Sequence, residues 1–501
     1  MNWLKKNIWL LASLTIAILA GRMLLSTHHF YVHDDIQVFR VNEFKECIKD
    51  GQIPCRWSKD LGKGYGMPWF NFYPPMIYLV PSILSLTGLS IITSLNIFMF
   101  LTFIIAAWGM FCLIKEMTDR SDLAFFGSVL FTLYPFHATN VFLRGVYAEN
   151  LVWSLAPWVL YLIYKQSKTG KFNKYLPLLF ASIFLTHVIS SFLIIAMSIL
   201  WLMILDFKKW RMLMVQLLIG LGISAFFFGP AILEKNLVQS SSLIEGYYSY
   251  LNHFVTLKQL FINYTWNYGA SYWDTPSVEM GYMVGHVHTL LLVALLAIVV
   301  YFKPKSKLRN IAFLTSILFA LVLFMTHNKS VLIWKLLPSL AYVQFPWRFV
   351  GWAGIPLVIA ISSFLSMIPV KLSKFLMYFA IPIIIIYSYP FFFPRSYDQY
   401  QDSDFISGQF RVEQQTKALF DYLPNTVRVV PEKGIGTFYF PGWVSAKPQD
   451  IDPDSGVILN PPSDLKWQET PLRLVFDVIS ILSISGYLIY LMYNKAYGKI
   501  H

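Results

Sequence analysis

Two carboxylates stand side by side in His33-Asp34-Asp35-Ile36-Gln37, with no lysine or arginine among their nearest neighbours in the chain. Paired acids of this kind suit a general base or a metal-binding carboxylate. They equally suit a solvated cap for the amphipathic stretch Val38 to Ile48, since a short side-chain oxygen satisfies the free amides at a helix start. His33 and Gln37 flank the acids and count with them as binding residues. A second group is Phe142-Leu-Arg144-Gly-Val-Tyr147-Ala-Glu149-Asn150, where Arg144 and Glu149 form either an ion pair with each other or a ligand-binding set. The third is Gln344-Phe-Pro346-Trp347-Arg348-Phe349. A guanidinium at the end of an apolar run suits a lipid phosphate, because its fork of permanent donors matches phosphate geometry; snorkelling beside Trp347 is the competing explanation. Gly51 to Trp57, which contains Arg56, and Gly62-Lys-Gly64-Tyr65-Gly66-Met-Pro68-Trp-Phe-Asn-Phe-Tyr73-Pro74-Pro75 place aromatic rings between glycine turns. Trp57, Tyr65 and Tyr73 there suit sugar stacking or an aromatic belt at lipid headgroups. No G-x-x-x-x-G-K-[ST] phosphate loop occurs, and His286 and His288 fall on different faces of one helix, which makes no metal pair.

These residues sit in a chain that is 56% hydrophobic and only 13% charged. That composition excludes a soluble globular protein and points to an all-α polytopic membrane protein. Twelve apolar runs lie near 8–25, 91–114, 123–138, 151–164, 175–188, 190–205, 212–232, 281–302, 310–327, 349–369, 375–393 and 474–493. With the N-terminus inside, the short basic loops at Lys115/Arg120, Lys165 to Lys174, Lys208 to Arg211, Lys303 to Arg309, Lys371/Lys374 and Lys495/Lys499 all fall on the cytoplasmic side. The net charge of +13 is therefore mostly a topology signal and does not call for a nucleic-acid partner. The parity requires that the proline-bearing stretch 74–89 lies at the interface and that 175–205 turns back near His187. His187, at that turn, reads either as a satisfied core histidine or as a ligand contact.

The candidate residues then gather outside, in loops 26–90, 139–150, 233–280 and 328–348. A larger polar segment, 394–473, is expected to cap the membrane part, with short strands at Thr426 to Val430 and Thr437 to Phe440. The expected domain plan is a transmembrane part at 1–393, the extracytoplasmic segment 394–473, and a last helix with a cytoplasmic tail at 474–501. Cys47 and Cys55 share the first outside loop, where a disulfide is allowed.

Taken in order, these parts resemble the GT-C superfamily of membrane glycosyltransferases: an acidic pair after the first helix, a long loop with interfacial helices, then a short outside loop carrying an acid. Arg144 to Asn150 is similar to the second loop of oligosaccharyltransferase catalytic subunits, although that loop has two acids and this one has only Glu149. More narrowly, Gly51 to Trp57, Gly64-Tyr-Gly66-Met-Pro68, Phe72-Tyr-Pro74-Pro75, Pro346-Trp-Arg348-Phe349 and Tyr422-Leu-Pro424 resemble the bacterial 6-pyruvoyl-tetrahydropterin-synthase-related membrane proteins. The clustered histidines with which soluble pterin synthases bind zinc are not visible here. The resemblance implies a GT-C-like bundle of about 12 spans. It also implies a multi-pass protein of the cell membrane, with both termini cytoplasmic and the active site on the extracytoplasmic face. The implied donor is a polyprenyl-phosphate-linked sugar; the acceptor is a glycan, glycolipid or protein; and a divalent metal, Mg or Mn, is the one cofactor to consider. In that chemistry Asp34 or Asp35 serves as base, Arg144 or Arg348 stabilises the leaving phosphate, and Glu149 orients the acceptor or Arg144. His33, Gln37, Arg56, Trp57, Tyr65, Tyr73 and His187 complete the binding set. A lipid or small-molecule carrier and a non-catalytic assembly protein of the same fold are the rival readings.

Overall fold

The computed structural model describes residues 2–240, 243–267, 280–417, 419, 421–432 and 436–497. Its centre is the helix Phe349–Met367, in which every residue from Phe349 to Leu365 is buried. A helix that is apolar all round has no face that prefers water, so it takes the middle of the bundle. Arg309–Phe324, His286–Phe302 and Ser121–Thr132 pack on it, and the long helices Ile91–Thr118 and Tyr147–Thr169 pack on each other alongside. Gly351 and Gly354 permit the close approach. A Cβ would lie 2.9 Å from the Phe136 ring at Gly351 and 2.8 Å from the Tyr134 ring at Gly354. Small residues at such seams let van der Waals contact hold helices together where lipid removes the hydrophobic drive.

Among the described residues, six helices are long and apolar enough to cross a membrane, or up to eight if each of two bent pairs is one span. Several of the twelve apolar runs are not single straight helices among the described residues. The run at 212–232 breaks between Phe207–Ile223 and Ala225–Leu233 with a 79° bend, and the run at 310–327 passes through a 92° bend into Asn328–Leu336. The run at 175–188 yields only Leu176–Phe184, and that at 123–138 stops at Thr132 before two short turns. Hydropathy counts apolar content and is blind to local breaks. At the first bend, the Ser224 hydroxyl donates to the Gly220 carbonyl at 2.9 Å, a back-bond that competes with the helix ladder. Two of the expected breaks and short helices do form. The chain turns near His187, which caps Val188–Leu205, and the proline-bearing stretch forms Met76–Leu86, whose 11 residues rise only about 16 Å.

Segment 394–473 departs from an all-α description. Val457–Leu459 lies between Thr437–Phe438 and Asp450–Ile451, antiparallel to both, and Trp443–Val444 pairs with Lys466–Trp467. The strand expected at Thr426 to Val430 is absent; there the amides of Arg428 and Val429 both donate to the Asp454 carbonyl in a turn. Phe438, Phe440 and Val457 pack with Trp57, Tyr65 and Phe72 of loop 26–90, and Phe405 joins the main core. The segment's apolar side chains are thus spent on docking to the rest of the chain. In loop 26–90 the amphipathic stretch forms the helix Gln37–Lys49, and Cys47 is disulfide-bonded to Cys55.

Candidate active site

The site is built where two loops meet. Residues Thr139–Arg144 form one π-helical turn, and Gly145 then adopts the left-handed region at φ 71°, which reverses the chain. This exposes the carbonyls of Leu143 and Arg144, which accept the amides of His33 and Asp34, each at 2.9 Å. Backbone bonds therefore bring the acidic pair against the Arg144 loop. The contact demands glycine: a Cβ on Gly145 would lie 2.5 Å from Val32 Cγ2 and 3.2 Å from the Asp34 carbonyl oxygen.

Glu149, in the first turn of Tyr147–Thr169, accepts hydrogen bonds from both terminal nitrogens of Arg144 at 3.2 and 3.1 Å. Arg348 adds its Nε at 3.3 Å as an ion pair. All three are buried, with 3% of Arg144 and of Glu149 and 8% of Arg348 exposed. Arg144 also donates to Asn140 Oδ1 and lies over the Trp347 ring, while Arg348 donates to the Val343 carbonyl at 2.7 Å. Two guanidinium groups on one carboxylate leave a positive charge in excess, which favours an anion at this spot. His187 lies near enough to both arginines and to Glu149 to feel their charges. Its Nδ1 accepts the Ser190 amide at 3.2 Å, so the ring proton resides on Nε2.

Asp34 is not a helix cap. Ile36 takes the cap position of Gln37–Lys49 without a side-chain bond. The Asp34 carboxylate instead accepts Gln37 Nε2 at 2.7 Å, and Gln37 Oε1 accepts the Tyr78 hydroxyl at 3.2 Å. Burial pushes the Asp34 carboxyl above its ordinary value, opposed by Arg40 and Arg144. Asp35 pairs with Lys417. The His33 side chain is exposed beside them. Tyr73 is half-buried, stacked on Trp69 with centroids 5.4 Å apart and 5.7 Å from Tyr78.

Three candidates are not brought to this place. Arg56 is 1% exposed and donates to the Phe226 carbonyl at 2.7 Å, to Asp477 at 3.1 Å and to Glu469 at 3.3 Å. Trp57 packs among Trp443, Trp467 and Phe440, and Tyr65 stacks on Phe438 at 5.0 Å. These side chains hold segment 394–473 against loop 26–90. Three residues that the sequence reading missed reach the acids, and a fourth, Tyr422, packs nearby against Trp69. Arg40 lies over Trp69 at 3.8 Å and acts on Asp34. Its position three residues after Gln37, on one helix face, was the available signal. Lys417, 382 residues away from Asp35, and Asp421 and Tyr422 beside it arrive only through folding.

Among the described residues, no group of three or more His, Cys, Asp or Glu is placed to hold a metal ion. Asp35 is engaged by Lys417, and Glu149 by two arginines. This donor set does not fit a divalent cation.

The family described as the 6-pyruvoyl-tetrahydropterin synthase related domain, a membrane protein, matches residues 70–393. The match covers more than half of the chain, and the chain belongs to this family of membrane proteins. Among solved structures, the cryo-EM structure of the arabinofuranosyltransferase AftD from Mycobacteria is similar, with a TM-score of 0.45 and 13% identity over 78% of this chain. The chain spans 27% of that protein's length. No curated protein matches.

Proposed function

We propose that this chain is a GT-C-type membrane glycosyltransferase that moves a sugar from a polyprenyl-phosphate donor to an acceptor hydroxyl on the extracytoplasmic face. The observation that carries the reading is the backbone-bonded meeting of Asp34 with the buried Arg144–Glu149–Arg348 set, a candidate base beside a candidate anion site. In the step, the acceptor oxygen attacks the anomeric carbon, its proton passes to Asp34, and the bond to the phosphate oxygen breaks with its electron pair leaving on the lipid phosphate. Asp34 suits the base role better than Asp35, whose charge is already matched by Lys417. Gln37 fixes the carboxylate's orientation. Arg144 and Arg348 supply preorganised positive charge for the departing phosphate, and Glu149 holds both in place. His187, with its proton on Nε2, offers a neutral donor at the same anion site.

The test is incubation of the purified, detergent-solubilised protein with a panel of radiolabelled polyprenyl-phosphate sugars. Sugar released from lipid is measured with membrane extract as acceptor, with and without divalent metal. Asp34→Asn is expected to cut turnover by about 10² to 10⁴, and Asp35→Asn by less. Full turnover in Asp34→Asn removes it as the base. Absence of release from every donor by the wild type rejects the transferase and leaves a carrier or a non-catalytic relative.

A further inference from the structure

Asp421 has no place in the step just described, yet it stands next to the base. Arg40 and Asp34 both act on its charge. It is half-buried and makes no hydrogen bond or ion pair among the described residues. Its neighbour Arg40 is 4% exposed, and its Nε has no hydrogen-bond partner among the described residues. Arg40 is thus one cation between two carboxylates. Asp34 is already bonded by Gln37, so the lone pairs of Asp421 remain open to a ligand.

The surroundings are aromatic. Tyr422 stacks on Phe72 with centroids 5.5 Å apart and meets Trp69 edge-on at 5.3 Å, and Tyr73 stacks on the other part of this group. Tyr73 and Tyr422 are both half-buried. The position of this stretch is fixed on two sides. The Gln239 amide donates to the Leu423 carbonyl at 2.8 Å, and the Tyr422 amide to the Gln239 carbonyl at 3.3 Å. Lys417 anchors the same stretch to Asp35. Ring faces for an apolar sugar face, with a guanidinium and an open carboxylate for its hydroxyls, are the chemistry that recognises a carbohydrate.

We infer that Asp421, Arg40 and Tyr422 form an acceptor-sugar subsite beside Asp34, contributed across the fold by segment 394–473, in which Asp421 accepts hydrogen bonds from ring hydroxyls. The inference rests on the transferase reading for its word "acceptor", since that reading assigns the donor phosphate to the pair Arg144 and Arg348. Burial pushes Asp421 up to about 6, so at neutral pH it is largely ionised and able to accept.

Two measurements on the full-length protein test this. Binding of methyl β-glucoside, methyl β-galactoside and methyl α-mannoside is followed by saturation-transfer NMR, and transfer to the same glycosides is followed with labelled donor. Asp421→Asn and Asp421→Ala are expected to weaken glycoside binding by about tenfold to a hundredfold, the loss of a hydrogen bond to a charged group. In transfer the loss falls on the acceptor KM rather than on kcat. Glu432→Gln, exposed on the same segment, serves as the control and binds as wild type does. Unchanged binding in both Asp421 variants overturns the inference, as does a loss accompanied by a lowered melting temperature in both, which marks a structural role. A wild type that binds none of the glycosides overturns it too. If the wild type binds a glycoside but releases sugar from no donor, the transferase reading fails, and the contrast between wild type and Asp421→Asn still decides whether the sugar subsite exists.

Discussion

Asp34 shows how burial and backbone geometry give two adjacent, chemically identical residues different surroundings. Its neighbour Asp35 spends its charge on Lys417, whereas Asp34 is held by Gln37 and pushed upward by burial. A base must be ionised to act. With its carboxyl raised, transfer is therefore full above that raised value and is lost as pH falls through it. The acid limb of kcat/KM against pH is expected above the ordinary aspartate value of about 3.9. A limb at or below the ordinary value removes Asp34 from the role. The geometry behind it depends on Gly145. Gly145→Ala forces a side chain into the left-handed region, which costs about 1 to 2 kcal/mol, and drives a Cβ into Val32 and the Asp34 carbonyl. Reduced thermal stability together with a larger loss of turnover is expected; wild-type turnover shows that the two loops do not need this contact.

Among the elements, buried charges join parts that are far apart in the chain. Arg56 of the first loop is held by the Phe226 carbonyl of Ala225–Leu233, by Glu469 just before Pro471–Tyr497 and by Asp477 within it. Close by, Glu234 accepts Asn71 at 2.7 Å and Arg473 at 3.0 Å. Removing one partner strands the others, so Arg56→Ala is expected to destabilise the fold by about 3 to 5 kcal/mol, read as a lowered midpoint in chemical denaturation. Loss of sugar binding without loss of stability would return Arg56 to the binding residues. The motif Gly51 to Trp57 looked like a ligand loop because Arg and Trp suit both ligands and interfaces. Only its partners distinguish the two, and they lie far along the chain, 170 positions later for Phe226, 413 for Glu469 and 421 for Asp477.

For the whole molecule, the loop charges give a definite orientation to check. On a Cys112→Ser background, Lys447→Cys is expected to react with an impermeant maleimide in intact cells, and Lys168→Cys only after the cells are opened. The reverse pattern would put Asp34 on the cytoplasmic face and remove the case for an extracytoplasmic donor. The span count illustrates a different limit. Apolar runs mark which segments prefer lipid, but a run such as 212–232 satisfies that preference as well when bent by 79° as when straight.

Membrane class, the helix Gln37–Lys49, the break at His187 and the candidacy of Asp34, Arg144, Glu149 and Arg348 were all legible in the sequence. Each rests on residues that are neighbours in the chain, or on charges whose cost in an apolar setting is independent of fold. The different partners of Asp34 and Asp35, the approach of Arg40, Lys417, Asp421 and Tyr422, and the engagement of Arg56, Trp57 and Tyr65 elsewhere were decided by tertiary structure. Those outcomes depend on which distant segment fills the space around a side chain. Polar pairing and aromatic packing are set by contact in space, which neither residue type nor spacing encodes.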